Sequence, residues 1–188
     1  MSKLLPFAIR EYGVSEYGGK QMTGDTLFSI GKHYGVTPDY LMKVNSLSGP
    51  LILIGQQLRI SDRRMPISNP RIVKYAEEAG FFTIKTDQEA WCAIFMKWCA
   101  LKAGIEVDTN ASARSWLNAG KRVNTIDEAD AAVFWREDPN SNLGHVAIPL
   151  NYTEDRKQIY VLGGNQSNMV CVKPYEAARL IAFIQLPK

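Results

Sequence analysis

Of the ionisable residues in this chain, three cysteines (92, 99 and 171) and two histidines (33 and 145) are the natural starting point for nucleophilic chemistry. Cys92 stands near the start of the run AWCAIFMKWCALKAG, which has the spacing of an apolar helix ended by Gly104. A helix N-terminus carries partial positive charge, which favours thiolate over thiol, and thiolate is the attacking form. Cys99 lies two turns further along, away from that end, and Cys171 lies in a short strand, Met169 to Lys173, with no partner chemistry near it in sequence. Both read as small buried hydrophobes. A thiol nucleophile needs a base, and His145 opens the apolar strand Val146 to Leu150, whereas His33 falls in a separate region. Further on, Gly163 and Gly164 let the backbone come close before Asn165, whose amide oxygen could accept the second imidazole N–H and fix the ring's tautomer. The three residues together describe acyl transfer: Cys92 attacks a carbonyl, His145 moves the proton, and water releases the acyl group.

Each residue has a bland reading. A lone cysteine in an apolar helix is ordinarily a packing residue, a histidine at a strand's mouth is ordinarily structural, and Gly-Gly-Asn is ordinarily a turn. The ordered set carries the specificity.

The elements that must position these groups fall into two regions. The polar segment Ser61 to Pro70, SDRRMPISNP, contains two prolines and reads as a linker, with residues 1–61 before it, 62–69 as the linker proper and 70–188 after it. In the first region, Gly24-Asp25 precedes a helix with Leu27, Ile30 and Tyr34 on one face, and Thr37-Pro38 caps a second helix running to Asn45. The apolar run Leu51 to Ile54 and a short strand from Gln56 to Ile60 follow. In the second region a helix is expected over Arg71 to Glu78. Thr86 and Glu89 have capping-box spacing, so the cysteine helix would start at Thr86, with Cys92 in its second turn, or nearer Glu89, which suits catalysis better. Strands follow at Ala131 to Trp135, at Val146 to Leu150 and at Gln158 to Leu162.

The segments GDTLFSIGKHYGVTPDYLMKVN and LILIGQQLRI resemble the LysM module, a small βααβ domain that binds N-acetylglucosamine-containing glycans. Its usual first strand does not fit directly before Gly24 and is expected at Val14 to Tyr17. The resemblance nominates Asp25, Thr26, Ile52 and Leu53 for the glycan groove. The series NPRI, EAWCAIF, SARSWLNAGK, DAAVFW, LGHVAI, VLGGNQSN and LIAFIQLP resembles the CHAP family of cysteine, histidine-dependent amidohydrolases and peptidases. That resemblance covers roughly Pro70 to Lys188. It implies a papain-like α+β fold, with the cysteine helix packed on an antiparallel sheet, and hydrolysis of amide bonds in the stem peptides of peptidoglycan. Two departures from the family pattern stand out. Many relatives have a glutamine just before the nucleophile to help hold the oxyanion, where this chain has Trp91. The backbone N–H of Cys92 would then serve, with Gln88 as a substitute donor. Many also carry a glutamate where Gly163 stands, which leaves the orienting role to Asn165.

Composition excludes several other classes. With 46% hydrophobic and 22% charged residues the chain matches globular proteins. The net charge of +3 is far below the basic stripe of a nucleic-acid binder, and nucleic acid is not an expected partner. No run approaches a membrane span, and the first residues lack a signal-type core, so synthesis in the cytoplasm is expected. Delivery would then be by a phage pore or a secretion system. An antibacterial effector would have an immunity protein that plugs its site. No HExxH and no paired Cys or His at zinc spacing occur, and no cofactor is expected. The competing class is a wall-binding or phage or secretion-machine structural protein that keeps the fold without turnover.

Overall fold

The computed structural model describes residues 2–15, 26–34, 36–53, 56, 58–59 and 68–187. Helix α1 (Leu5–Ala8) opens the chain and runs into a 3-10 turn, Ile9–Glu11. Helices α2 (Leu27–Tyr34) and α3 (Pro38–Val44) follow, then α4 (Pro70–Glu78) and α5 (Cys92–Lys102). The remainder is mainly strand: β1 (Lys121–Val123), β2 (Ala131–Trp135), β3 (Gly144–Tyr152), β4 (Gln158–Gly163), β5 (Cys171–Glu176) and β6 (Leu180–Gln185). The strands form one antiparallel sheet in the order β1-β6-β2-β3-β4-β5, giving the α+β class that the sequence implies.

Helix α5 is buried over most of its length, with Lys97 and Lys102 as its only charged residues. Its residues Cys92 to Met96 and Trp98 to Ala100 are buried, because α1, α4 and the sheet surround it. Tyr75 of α4 packs against Phe95 and Trp98, with ring centroids 5.2 and 4.9 Å apart. From the sheet, Val146 and Ile148 of β3 join this core, while Ala147, Phe134, Ile159 and Val161 form a second core on the opposite face. The period of two in β3 therefore separates a helix-covered face from one closed by Tyr175 and the 3-10 turns.

Three expectations change. First, α5 begins at Cys92 rather than at Thr86 or Glu89. Asp87 is buried and its Oδ2 accepts the Asn69 N–H at 2.7 Å, so residues 86–90 are tied to the start of α4 and do not wind into a helix. Asn69 itself caps α4. Secondly, the packing does not divide at residue 61. Leu4, Ala8 and Val14 belong to the core around α5, Lys3 N–H donates to Asp130 at 2.8 Å, and Gly13 and Val14 exchange backbone bonds with Val170. Glu11, nearly buried, receives Arg71 through two guanidinium nitrogens and the Tyr75 hydroxyl. Residues 2–15 are thus an integral part of the second body, and the two-helix module is carried between them and α4. Thirdly, Ser15 bridges to Met169 of that body, although the sequence assigns Val14 to Tyr17 to the smaller module. Glu16 and Tyr17 lie outside the described residues, as do Ile54, Gly55, Gln57 and Ile60 of the expected closing segment.

The smaller module has its own core of Leu27, Leu41 and Leu58, with Ile30, Val36, Met42, Leu47 and Ile52 packed against it. Asn45 ends α3 and its side chain bonds both the N–H and the C=O of Arg59, closing the segment back onto the helices. Thr37 caps α3 as expected, accepting from Tyr40 N–H at 3.1 Å.

Candidate active site

Cys92 is the first residue of α5, where the unsatisfied N–H groups and the helix dipole are concentrated. Its side chain is buried, and burial pushes the thiol up. Acting against burial are the Val146 backbone N–H, the Arg136 guanidinium charge and the N–H groups of Ala93 and Cys92 itself, all of which favour thiolate. Val146 is the residue after His145, so the sulfur lies against the peptide that opens β3.

His145 is fully buried and pairs with Phe134 across the β2–β3 ladder. Its ring lies flat on Tyr175, with centroids 4.7 Å apart and planes 2° from parallel. Nε2 is 2.9 Å from Oε1 of Gln166. The Gln166 amide nitrogen faces two carbonyls, those of Val161 and Cys171, so its oxygen must be the atom turned to the ring. Nε2 therefore carries the hydrogen, and Nδ1 holds the lone pair a base requires. At Nδ1 the partner is Arg136, whose guanidinium nitrogen is 3.2 Å away. Burial first, and then the Arg136 charge, pull the imidazole down to about 3, while the Gln166 bond opposes them. The resting ring is neutral, and among the described residues its nitrogens bond Gln166 and Arg136 rather than the thiol.

The amide expected from Asn165 is supplied one residue later. Asn165 is half-buried, with φ 55°, and the turn made by this residue, Ser167 and Asn168, all at positive φ, brings Gln166 under the ring. Glycine is needed at both preceding positions. A Cβ on Gly163 would stand 2.8 Å from that of Ala147 and 3.3 Å from Gln166 Oε1, and one on Gly164 would enter the Trp91 ring at 2.5 Å. The space a side chain at 163 would fill is thus taken by the Gln166 amide. Cys171, read from sequence as having no partner chemistry, holds this amide: its carbonyl accepts from Gln166, and its thiol donates to the Gln166 carbonyl at 3.1 Å. Cys99 is fully buried and its thiol is pushed well up by burial, in keeping with a packing role.

Gln88, the candidate oxyanion donor, is exposed and its amide nitrogen bonds Asp87 at 3.2 Å. Arg136 and Tyr175 escape sequence reading. An arginine after an apolar strand and a tyrosine in an alternating one carry no motif, and only the folded sheet brings their side chains to the His145 ring.

In the smaller module, Thr26 and Ser29 cap α2 reciprocally, with the Thr26 N–H donating to Ser29 Oγ at 2.9 Å and the Ser29 N–H to Thr26 Oγ1 at 3.1 Å. Ile52 packs inward, Leu53 is exposed, and Asp25 lies outside the described residues. Phe28 and Leu51, not singled out by the sequence, are also strongly exposed apolar groups. Among the described residues no cluster of acidic, cysteine and histidine side chains could hold a metal ion, and no helix is long and apolar enough to cross a membrane.

Two known families match segments of the chain. The LysM domain family matches residues 23–61 and the CHAP domain family matches residues 84–165. No curated protein matches the chain.

Proposed function

We propose that this chain, which carries a LysM domain followed by a CHAP domain, is a peptidoglycan hydrolase that cuts an amide bond of the stem peptide with Cys92 as nucleophile. The observation that carries this reading is the placement of Cys92 at the first position of a buried helix, its sulfur against the peptide N–H that follows His145. In the proposed reaction His145 Nδ1 takes the thiol proton as the sulfur attacks the carbonyl carbon. The proton then passes to the leaving amine, and water hydrolyses the thioester with the same ring as base. Gln166 holds the Nε2–H and so keeps Nδ1 the basic atom. Asn165 contributes the left-handed turn that aims Gln166. The Cys92 and Ala93 N–H groups at the helix start are the oxyanion donors this reading favours over Gln88.

LysM domains bind peptidoglycan glycans, and holding the glycan raises the effective concentration of the thiol at neighbouring stem peptides. For the glycan face we propose Thr26, Leu53 and Asp25, with Ile52 shaping the groove from the core. Delivery as a phage lysin or as a secreted antibacterial effector, the latter with an immunity protein, is part of the same proposal.

Digestion of purified sacculi followed by mass spectrometry of the released muropeptides tests the reading. The intact chain should create new amine termini whose identity distinguishes amidase from endopeptidase, and Cys92→Ala should create none while retaining its fold. Unchanged product formation by Cys92→Ala would overturn cysteine catalysis.

A further inference from the structure

Among the described residues, Arg136 is the one charged side chain bonded to the proposed base, and no ion pair there includes it. It follows Trp135, the last residue of β2, and its backbone is held on both sides. Its N–H donates to the Leu143 carbonyl at 3.2 Å, and its own carbonyl accepts from Asp138 N–H at 2.7 Å and Ser141 Oγ at 2.9 Å. The half-buried side chain reaches His145 Nδ1 at 3.2 Å and bonds the Tyr175 hydroxyl, and its charge is felt by Cys92. All three neighbours are neutral in the resting state. A partly desolvated guanidinium facing neutral groups gains from any anion that can approach, and a carboxylate offers it two charge-assisted bonds in place of one bond to an imidazole nitrogen.

We propose that Arg136 is the residue that recognises a free carboxylate of the substrate beside the scissile amide, and that in turning to that carboxylate it uncovers Nδ1 of His145. This rests on the peptidoglycan reading for the source of the carboxylate, since stem peptides carry free carboxylates next to their amide bonds. The arrangement couples substrate identity to base availability. With no anion present the lone pair that must receive the thiol proton is occupied by a cation. With a carboxylate bound, the guanidinium leaves the ring, and its charge no longer opposes formation of the imidazolium.

The test needs no peptidoglycan and can fail independently of the hydrolase assignment. Rates of Cys92 alkylation by iodoacetate and by iodoacetamide are measured on the full chain, with mass spectrometry assigning the modified peptide. Both reagents report the same thiolate fraction, so their ratio isolates attraction of the carboxylate. Relative to glutathione, the wild-type ratio should favour iodoacetate by about tenfold. Arg136→Gln should bring it to the glutathione value, and Arg136→Lys should retain part of the preference. A wild-type ratio equal to that of glutathione, or one unchanged in Arg136→Gln, overturns the proposal. Should Cys92 prove closed to both reagents, the His145 ring signals of Cys92→Ala are followed by NMR during titration with acetate. A saturable shift that Arg136→Gln abolishes supports the assignment, and no shift, or one that persists in Arg136→Gln, overturns it.

Discussion

The side-chain amide of Gln166 lies over Gly163, close enough that a Cβ at 163 would come within 3.3 Å of its oxygen, and that oxygen meets His145 Nε2 at 2.9 Å. The missing side chain and the orienting amide are two parts of one device. At position 163 the strand carries no side chain, and an amide returns to the ring from the next turn.

Gln166→Leu should therefore lower kcat on muropeptides by about 10²- to 10⁴-fold with little change in KM, the range seen when a base loses its tautomer or orientation. Asn165→Gly, which keeps the left-handed turn, should remain within a few-fold of wild type. Steady-state kinetics on a soluble muropeptide checks both, and a larger loss at 165 than at 166 would return the orienting role to Asn165.

Gly164→Ala should destabilise the fold by about 1–3 kcal/mol, the usual cost of forcing a carbon into a packed core. Its Cβ would meet Trp91 and Phe95 at 2.5 and 2.7 Å, both at the start of the cysteine helix. Urea denaturation measures the loss. Gly80→Ala, at φ 84° with open space around it, serves as the comparison in which backbone conformation alone is disturbed.

The first 15 residues should be required for the stability of the catalytic body. Glu11→Ala leaves Arg71 and Tyr75 without their shared carboxylate, at a cost of about 2 kcal/mol, modest because Arg71 stays partly solvated. Leu4→Ala, at a fully buried site, should cost about 2–5 kcal/mol. Thermal unfolding of each variant is the check, and a wild-type Tm for both would mean that the segment is not part of the body. It follows that removal of residues 1–61 confounds loss of the module with loss of core. Replacing 16–67 with a short flexible linker should instead keep activity on soluble muropeptides and reduce it on sacculi.

His145 sets a stability limb at acid pH. Its folded-state pKa, about 3, lies below the ordinary 6.5, so between those values the unfolded chain binds the proton and the folded chain does not. The contribution is fully present above about pH 6.5 and is lost as pH falls toward 3, at no more than about 1.4 kcal/mol per pH unit. Denaturation at a series of pH values should show a shallower acid limb in His145→Asn than in wild type. Parallel curves for the two proteins would show that this ring does not titrate as its burial requires.

Much was legible in the chain itself. The apolar helix that follows Cys92 and strand β2 from Ala131 to Trp135 can be read from continuous apolar runs of helix and strand length, because an element buried on nearly every side carries few polar residues. The two family resemblances are likewise local strings. What tertiary structure decided is what depends on neighbours distant in sequence. Asp87 fastened to Asn69 delays the helix until Cys92, placing the sulfur at the strongest part of the dipole. Residues 2–15 pack against a core whose other members lie more than 50 positions away, so no reading along the chain could assign them to it. The change from 165 to 166 has a similar origin. On an extended strand, 163 and 165 share a face, but a left-handed turn at 165 breaks that alternation, and the next side chain arrives under the imidazole. Arg136 and Tyr175 reach the same ring only in the folded sheet: the β2–β3 register sets Arg136 beside the start of β3, and Tyr175, level with Tyr152 in the ladder, reaches the ring across the sheet face. Spacing along a sequence specifies elements, and the direction in which a turn sends its side chains is settled by packing.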